Sequence, residues 1–366
     1  MIRKAAPATR AVPAQAPERP AASWGKRLVL GLLTQRLILL AVLIVLVLVV
    51  MSLLDANDYL TAPYDVDYLA ASLINAVPLA MLGLAQMFVI LSGRGGIDLS
   101  VGAIVSLTGI VFGYTYGPLG LPLPVAILVT VVVGAAAGAV NGVLVATFGF
   151  PALIATLATF YAYKSLALVI SGQRPISSPS IQDFYSAAKS VEIPVIGGGL
   201  PNIPLGVFTF LIPVVLVVWI LVNKTTFGRQ LYAIGTNDVA ARWAGLPANR
   251  TRFLAYLLSG VISSLVAIVT VAQFASARPD AGVSGNGMAL PAITIAVLGG
   301  VAITGGIGRV GGIVLATLLI VWLNAGILLA FEGNDGTQFQ FLALGLILLA
   351  ASLLNTYATR FTGEKS

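Results

Sequence analysis

Long apolar runs, separated by short polar or glycine-rich stretches, make up most of this chain. A helix needs roughly 20 apolar residues to cross the hydrocarbon core of a bilayer. We therefore predict ten transmembrane helices, over residues 37–54, 68–91, 98–117, 122–148, 151–170, 205–222, 253–274, 288–304, 313–331 and 338–356. The predicted fold class is all-α, a polytopic helical membrane protein with these transmembrane helices and one short cytoplasmic helix.

The composition excludes a water-soluble globular protein. Of the 366 residues, 58% are hydrophobic and only 9% are charged, whereas soluble domains carry about 25% charged residues. The chain has no Cys and no His, so it has no disulfide framework and lacks the usual ligands of transition metals. We therefore predict no metal site, and we predict no catalytic residues. We also predict no nucleic-acid partner, because the charges that give the net +7 are positioned according to the predicted spans.

The basic residues predict an orientation for these helices. If the N-terminus is cytoplasmic, sixteen Lys and Arg residues fall on the cytoplasmic side of the ten spans, three fall outside, and Lys164 lies within a span. Cytoplasmic loops carry the excess of Lys and Arg in membrane proteins, so we predict that both termini are cytoplasmic. We also predict a disordered basic cytoplasmic tail over 1–30, which is rich in Ala and Pro, and a transmembrane domain over 31–366.

Glycine recurs in two patterns with different meanings. Gly134, Gly138 and Gly142 repeat every four residues within one apolar run, which gives a helix a smooth face for close packing against another helix. The segment GIGRVG at 306–311 matches a dinucleotide-binding pattern, but that pattern has meaning only between a strand and a helix of a soluble domain. We predict a tight turn at the membrane surface there instead. No P-loop pattern for ATP occurs in the chain.

The stretch SGRGGIDLSVGAIVSL, at 92–107, places charged residues between two apolar runs. Its glycines permit a turn that side chains would obstruct, and Arg94 supplies a cytoplasmic positive charge. Asp98 precedes a helix start, where it can cap the helix or pair with Arg94. Whether the turn also contacts a partner is left open. With the second glycine turn it forms the predicted cytoplasmic turn or gate: Gly93, Arg94, Gly95, Gly96, Asp98, Ser100, Gly306, Gly308 and Arg309.

The cytoplasmic loop 223–252 contains the stretch TNDVAARWAGLP. This pattern predicts a short helix, because Thr236 or Asn237 can cap its start and Gly245 fits its end. Asp238 and Arg242, four residues apart, can form an ion pair. The apolar stripe of this helix needs a cover, either a groove on a partner protein, which we favour, or the membrane surface. The predicted docking residues are Asn237, Asp238, Val239, Arg242, Trp243, Gly245 and Leu246.

Six polar side chains lie inside predicted spans and are candidates for a translocation pathway: Asn75, Gln86, Asn141, Lys164, Gln273 and Asn324. Amides suit a neutral, hydroxyl-rich solute better than an ion, although hydrogen bonding between helices is their commoner use. A cation at bilayer depth costs about 2.5–3.5 kcal/mol on insertion scales. Lys164 therefore either lines a pathway or extends its side chain toward the outer interface.

Several motifs resemble those of one transporter family. SGRGGIDLSVGAIVSLTG resembles the signature turn of sugar ABC importer permeases of the ribose-permease type. TTFGRQLYAIGTNDVAARWAGL and RTRFLAYLLSG resemble their cytoplasmic coupling segment, and LPAITIAVLGGVAITGGIGRVGGIVLATLL resembles part of their C-terminal half. The likeness extends from about residue 70 to about residue 356, with the motifs in the family's order. The Leu-Pro pair in GNGMALPAITIAVLGG is more similar to rhamnose-type and autoinducer-type members, which leaves the sugar open.

The resemblance implies a permease subunit of an ATP-driven ABC importer, which forms the pathway for a pentose, a hexose or a related polyol-like solute. Such a subunit pairs with a second copy or a sister permease, lies in the bacterial inner membrane among its lipids, and is not an enzyme. A periplasmic sugar-binding protein delivers the solute. ABC ATPase subunits, which hold ATP and Mg, dock on the cytoplasmic side, so this chain is expected to bind no cofactor. The family's coupling helix corresponds to residues 236–246 here.

Two other classes of function compete with this interpretation. An ion-coupled secondary transporter of a small polar solute needs titratable or cation-coordinating groups within the membrane, and here only Asp98 and Lys164 lie near that depth. A membrane enzyme needs a nucleophile–base pair or a metal cluster, and the sequence shows no pattern of that kind. The sequence therefore favours the importer subunit.

Overall fold

The computed structural model describes residues 35–188, 203–284, 287–331 and 333–362. The tail predicted at 1–30 lies outside these ranges. Within them the chain forms thirteen α-helices, numbered here in chain order: α1 Arg36–Asp55, α2 Val66–Leu91, α3 Val101–Tyr116, α4 Leu123–Gly142, α5 Ala152–Ser171, α6 Pro179–Ala188, α7 Ile212–Lys224, α8 Thr226–Thr236, α9 Asp238–Trp243, α10 Ala248–Phe274, α11 Ala289–Leu298, α12 Val310–Ala330 and α13 Asn334–Thr362.

Eight segments of the described chain are long and apolar enough to cross a membrane. They are α1, α2, α4 with the π-helical turn Val143–Thr147, α5, α7 with the π-helical turn Val207–Leu211, α10, α12 and α13. The other two apolar helices are shorter, with 16 residues in α3 and 10 in α11. At 1.5 Å per residue they extend roughly 24 Å and 15 Å, less than the ~30 Å of hydrocarbon. The all-α membrane fold is confirmed, and the ten predicted spans resolve into eight spanning helices and two shorter ones.

The two short helices are limited by non-helical turns beside them. Residues 92–100 precede α3, and residues 299–309 follow α11. Irregular backbone at membrane depth is tolerated where protein groups satisfy its hydrogen bonds. The second turn meets this condition locally, because the amide of Gly299 donates to the carbonyl of Ile295 at 2.8 Å, and that of Ala302 donates to the carbonyl of Ile307 at 2.9 Å.

Helices α2 and α10 form the centre of the molecule. Most of their residues are buried; α2 packs against α10, α11 and α12, while α10 also packs against α3 and α4. The outer helices α1, α7 and α13 present apolar side chains outward, for example Leu46, Val217 and Leu349. This arrangement buries the Asp98 cluster described below among the central helices, while the outer faces of α1, α7 and α13 suit contact with lipid tails.

The glycine repeat of α4 packs directly on α10, which confirms the predicted packing face. An added Cβ atom at Gly138 would lie 3.1 Å from the Cα atom of Gly260 in α10. Cβ atoms added at Gly134 and Gly142 would also collide with α10. The two backbones touch directly at Gly138 and Gly260, and the side chains of Ser264 and Phe253 in α10 pack against the backbone at Gly134 and Gly142.

Basic side chains collect at one end of the helical bundle, which we call the basic end. It is formed by the turns 92–100 and 299–309 and by the segment 224–252; a 3.2 Å hydrogen bond from the amide of Gly306 to the carbonyl of Leu91 joins the two turns. Its described basic residues are Arg36, Arg94, Lys224, Arg229, Arg242, Arg250, Arg252 and Arg309.

Acidic side chains collect at the opposite end. There the amide of Thr61 donates to the carbonyl of Leu329 at 3.0 Å, and an isolated antiparallel bridge joins Ile176 to Ala277. The described acidic residues of this end are Asp55, Asp58, Asp65, Asp67, Asp183, Asp280 and Asp335. Most charged residues of the described chain are thus separated by sign between the two ends of the bundle; the exceptions are Asp98 and Asp238 at the basic end and Arg174 and Arg278 at the acidic end.

The contact between α4 and α10 leads to a stability prediction. We expect Gly260→Ala to lower the thermal unfolding temperature of the purified protein in detergent, because the new methyl group would overlap the Gly134 carbonyl oxygen. Overpacking of this kind typically costs about 1–3 kcal/mol. Gly345→Ala in α13 is the control, since nothing lies within 4 Å of a Cβ atom added there. Equal unfolding temperatures for the two variants would contradict the packing described here.

Candidate functional site

Three glycine-bearing segments meet at the basic end, backbone against backbone. Gly93, Gly305 and Gly306 have positive φ angles of 76°, 95° and 74°, a region that glycine adopts without steric cost. A Cβ atom added at Gly235 would collide with the carbonyl oxygen of Leu91, and one added at Gly305 would collide with the Cα atom of Gly93. We call this contact the glycine junction. It ties the turn before α3, the end of α8 and the turn before α12 together without side chains.

The remaining predicted turn residues lie around this junction. The amide of Gly96 donates to the carbonyl of Gly93 at 3.0 Å, and the hydroxyl of Tyr232 donates to the carbonyl of Gly308 at 2.8 Å. Gly95 has open space where a side chain would be. Arg309 is extended and immediately precedes α12. The two predicted turns are therefore parts of one structure, and that structure also includes α8.

Helix α9 begins and ends where the sequence pattern predicts. The side chain of Asn237 caps it by accepting a hydrogen bond from the amide of Ala240 at 2.9 Å, whereas the hydroxyl of Thr236 donates to the carbonyl of Tyr232. Gly245 has a φ of 78° and follows the end of the helix. Of the two predicted caps, Asn237 is the one used, because its neighbour is still part of α8.

The predicted apolar stripe of α9 divides into an inward and an outward part. Leu246, just after α9, is partly buried against the core, and Ala241 within α9 is buried on the side of the helix that faces the bundle. Trp243 is 88% exposed and Val239 is 64% exposed. A large aromatic side chain thus projects from the basic end beside an aliphatic one, on a helix fixed to the body of the protein.

Asp238 anchors this helix through three arginines. Its carboxylate accepts from Arg94 Nη2 at 2.5 Å, from Arg242 Nε at 3.1 Å and from Arg252 Nη2 at 2.9 Å. The predicted pair with Arg242 is confirmed. The predicted alternative pair between Arg94 and Asp98 is wrong, because Asp98 is fully buried and holds other partners, while Arg94 points outward to α9.

Arg252 is the buried member of this cluster. It is 1% exposed, and its Nη2 atom donates to the carbonyl of Ser92 at 3.0 Å as well as to Asp238. A buried charge needs a partner. Arg252 of α10 therefore links its own helix to the turn before α3, through the Ser92 carbonyl, and to α9, through the Asp238 carboxylate. Partial burial raises the pKa of Asp238, but the hydrogen bond and charge of Arg252, with the charges of Arg94 and Arg242, bring that pKa below its usual value.

Asp98 is the centre of a second, fully buried polar cluster. Its carboxylate accepts from the amide of Ser100 at 2.9 Å, from the hydroxyl of Ser100 at 2.6 Å and from the hydroxyl of Ser259 at 2.9 Å. The side chain of Gln86 holds its backbone, donating to the Asp98 carbonyl and accepting from the Asp98 amide. The predicted capping role of Asp98 is wrong, because the helix begins at Val101 with Ser100 as its N-cap residue and has no side-chain cap, while Asp98 accepts from Ser100 and Ser259 instead.

The same cluster continues into α4 and α5. Asn141 Nδ2 donates to the hydroxyl of Ser100 at 2.7 Å, and the hydroxyl of Thr159 donates to Asn141 Oδ1 at 2.6 Å. Both Asn141 and Gln86 are completely buried. The amide groups of both candidate pathway residues therefore have hydrogen-bond partners within the protein, as buried amides usually do.

The other four candidate pathway residues lie in different places. Gln273 Nε2 donates to the carbonyl of Ile74 at 2.6 Å, and Asn324 is partly buried, with its carbonyl accepting from Gln340. Asn75 is exposed, and Lys164 is partly exposed. The structure does not bring the six together, and their pathway role stays a prediction.

Sequence reasoning missed two residues that these clusters require, Arg252 and Ser259. A signal was present, because Arg252, Tyr256, Ser259 and Ser263 recur at three- and four-residue spacing, which places them on one face of α10. A polar face within an otherwise apolar span indicates buried hydrogen bonding. All four side chains are buried in the structure.

The described chain thus combines membrane-spanning helices, buried polar clusters and an exposed, anchored helix at one end. A family model for the permease component of the branched-chain amino acid transport system matches residues 68–352, and the chain belongs to this family. It is a permease subunit of an ABC importer and a multi-pass protein of the inner membrane; it is not an enzyme.

Several relatives are named as autoinducer 2 import system permease protein LsrD. The one from Photorhabdus luminescens is 35% identical over 286 residues, which cover 78% of this chain and 82% of that protein. The one from Salmonella typhimurium is 34% identical over 273 residues, which cover 74% and 79%. The one from Yersinia enterocolitica is 35% identical over 263 residues, which cover 72% and 76%. No solved structure matches the chain.

We expect Asp238→Asn to destabilise the protein, because buried Arg252 would lose its carboxylate partner. Breaking a buried ion pair on one side costs about 3–5 kcal/mol, and the 12% exposure of Asp238 favours the lower end of that range. Thermal unfolding in detergent measures the loss. Asp280→Asn is the control, since its 3.4 Å pair with Arg278 is exposed and contributes little. Unfolding temperatures lowered equally in both variants would refute the anchoring role of Asp238.

Proposed function

We propose that this chain and a second permease, either another copy or a sister chain, form the translocation pathway for a small hydroxyl-rich solute such as a sugar or autoinducer 2. A periplasmic binding protein delivers the solute, and ABC ATPase subunits bound to the basic end drive transport. Helix α9 serves as the docking helix for an ATPase subunit. The observation that carries the proposal is the exposure of Trp243 and Val239 on an anchored helix.

The exposed pair has the properties of a protein-binding hot spot. Trp is among the residues that contribute most when it fills a pocket on a partner. Asp238 and its three arginines fix the helix to the bundle, so docking would not have to order a loose segment, which lowers the entropic cost of binding. A helix that only lay on lipid would not require a buried charge to hold it in place.

The charge distribution supports an orientation with the basic end in the cytoplasm. Basic residues are enriched in cytoplasmic loops, and α9 and both glycine turns lie at the basic end. ATP is a cytoplasmic substrate, so the docking helix would be on the side where an ATPase works. With this orientation, the start of α1 and the end of α13 would lie on the cytoplasmic side, which supports the proposal that both termini are cytoplasmic.

The buried acid argues against the ion-coupled alternative. A proton- or sodium-coupled carrier needs a titratable or cation-binding group that reaches the pathway. Asp98 is completely buried and accepts three hydrogen bonds from Ser100 and Ser259, which is the pattern of a structural carboxylate.

The named solutes of the relatives and of the family differ, autoinducer 2 in one case and branched-chain amino acids in the other. We favour the hydroxyl-rich solute because relatives named for autoinducer 2 import are 35% identical over 78% and 72% of this chain, whereas branched-chain amino acids appear only in the description of the broader family.

We expect Trp243→Ala and Val239→Asp each to weaken binding of the ATPase subunits and to lower ATP-driven solute uptake. Loss of a hot-spot side chain costs about 2 kcal/mol or more, roughly a thirtyfold loss of affinity. Copurification and uptake into proteoliposomes measure the two effects. Tyr59→Ala is the matched control, because Tyr59 is 71% exposed but lies at the acidic end.

The same reconstituted importer, with its binding protein, tests the solute class. We expect uptake of a labelled sugar or of autoinducer 2, and no uptake of leucine. Normal ATPase binding and transport in both α9 variants would refute the docking role. Preferential uptake of leucine would refute the proposed solute class and leave the docking role standing.

A further inference from the structure

The outward face of α5 differs from those of the other outer helices. At mid-length, α1, α4, α7 and α13 present apolar side chains outward, including Leu46, Val132, Leu216 and Leu346. Helix α5 also exposes apolar side chains such as Leu157 and Leu166, but beside them it carries a polar stripe made of Tyr161 and Ser165, which are exposed, and Lys164, which is partly exposed. Lys164 and Ser165 lie three and four residues after Tyr161, so both share one side of the helix with it.

This polar stripe lies at bilayer depth. Tyr161 is the tenth of the 20 residues of α5, which puts it roughly 15 Å from either end of the helix. It is 62% exposed, and its hydroxyl has no hydrogen-bond partner within the described ranges. In the same part of the chain Lys164 forms no ion pair; its Nζ atom lies 5.9 Å from the ring centroid of Phe160 in its own helix.

Contact with lipid hydrocarbon is energetically unfavourable for these polar groups. A cation in the middle of a spanning helix costs about 2.5–3.5 kcal/mol on insertion scales, and an unpaired hydroxyl in hydrocarbon costs more than an apolar group. Lys164 alone can extend its long side chain toward the membrane surface. The short side chain of Ser165 and the rigid ring of Tyr161 have no such reach.

We infer that this face of α5 borders a water-filled translocation pathway between two permease subunits, with Tyr161, Lys164 and Ser165 contacting the solute. The inference rests on the proposed function and names the surface that performs it. Two hydroxyls and an ammonium group offer both donors and acceptors, which suits the hydroxyls of a sugar-like solute. The second subunit covers the remainder of the α5 face, where Leu153, Ile154 and Leu157 are exposed.

The absence of Cys from the sequence permits a direct test. Ser165→Cys and Leu216→Cys are each introduced, and the assembled importer in proteoliposomes is treated with a charged, membrane-impermeant methanethiosulfonate reagent. Leu216 is the control, because it is 55% exposed near the middle of the span Val207–Lys224. We expect Ser165→Cys to react at least about tenfold faster, since the reactive thiolate forms in water and not in hydrocarbon.

A second variant tests contact with the solute. We expect Lys164→Met to raise the KM for uptake about fivefold, the equivalent of one lost hydrogen bond of ~1 kcal/mol, with ATPase binding unchanged. A lysine that merely extends to the membrane surface would leave KM unaltered.

Equal labelling rates at the two cysteines together with an unaltered KM would overturn the inference, and the proposed function would stand if the unmodified importer still transports. If the unmodified importer bound its ATPase but transported no solute, the proposed function itself would fail, whatever the labelling rates.

Discussion

The ion pair between Asp238 and Arg252 is the interaction on which the basic end depends. Arg252 is buried at the start of α10, and its charge is stable there only because a carboxylate and the carbonyl of Ser92 accept its hydrogen bonds. The carboxylate belongs to α9 and the carbonyl to the turn before α3. A force on α9 therefore either moves α10 and that turn with it or separates a buried charge from its partner. This constraint links the exposed helix to the centre of the bundle.

The features that the sequence predicts correctly depend on residues close together in the chain. Spanning helices follow from local hydropathy, because a bilayer requires a long apolar run. The start and end of α9 follow from Asn237 and Gly245, whose effects reach only three or four residues. The pair between Asp238 and Arg242 and the packing face of α4 are of the same kind, since helical spacing determines both.

The features that sequence reasoning could not predict depend on distant parts of the chain. Arg94 has an acidic residue four positions away, yet it pairs with Asp238, 144 residues along the sequence. The partners of Asp98 include Ser259, 161 residues away. Hydropathy also overestimates the length of α3 and α11, because it cannot show that the adjoining turns fold back into the protein. Which candidate pathway residues are buried is likewise decided by tertiary packing.

The glycine junction has a mechanical consequence. Where side chains form a contact, small rotations of those side chains allow many intermediate arrangements; where peptide groups touch directly, as at Gly93, Gly235 and Gly305, there are no rotamers to adjust. Tightly packed contacts of this sort change between discrete arrangements and resist gradual deformation. We therefore expect the basic end to change between a small number of distinct arrangements. The displacement between two such arrangements is set by peptide geometry and not by the transported solute.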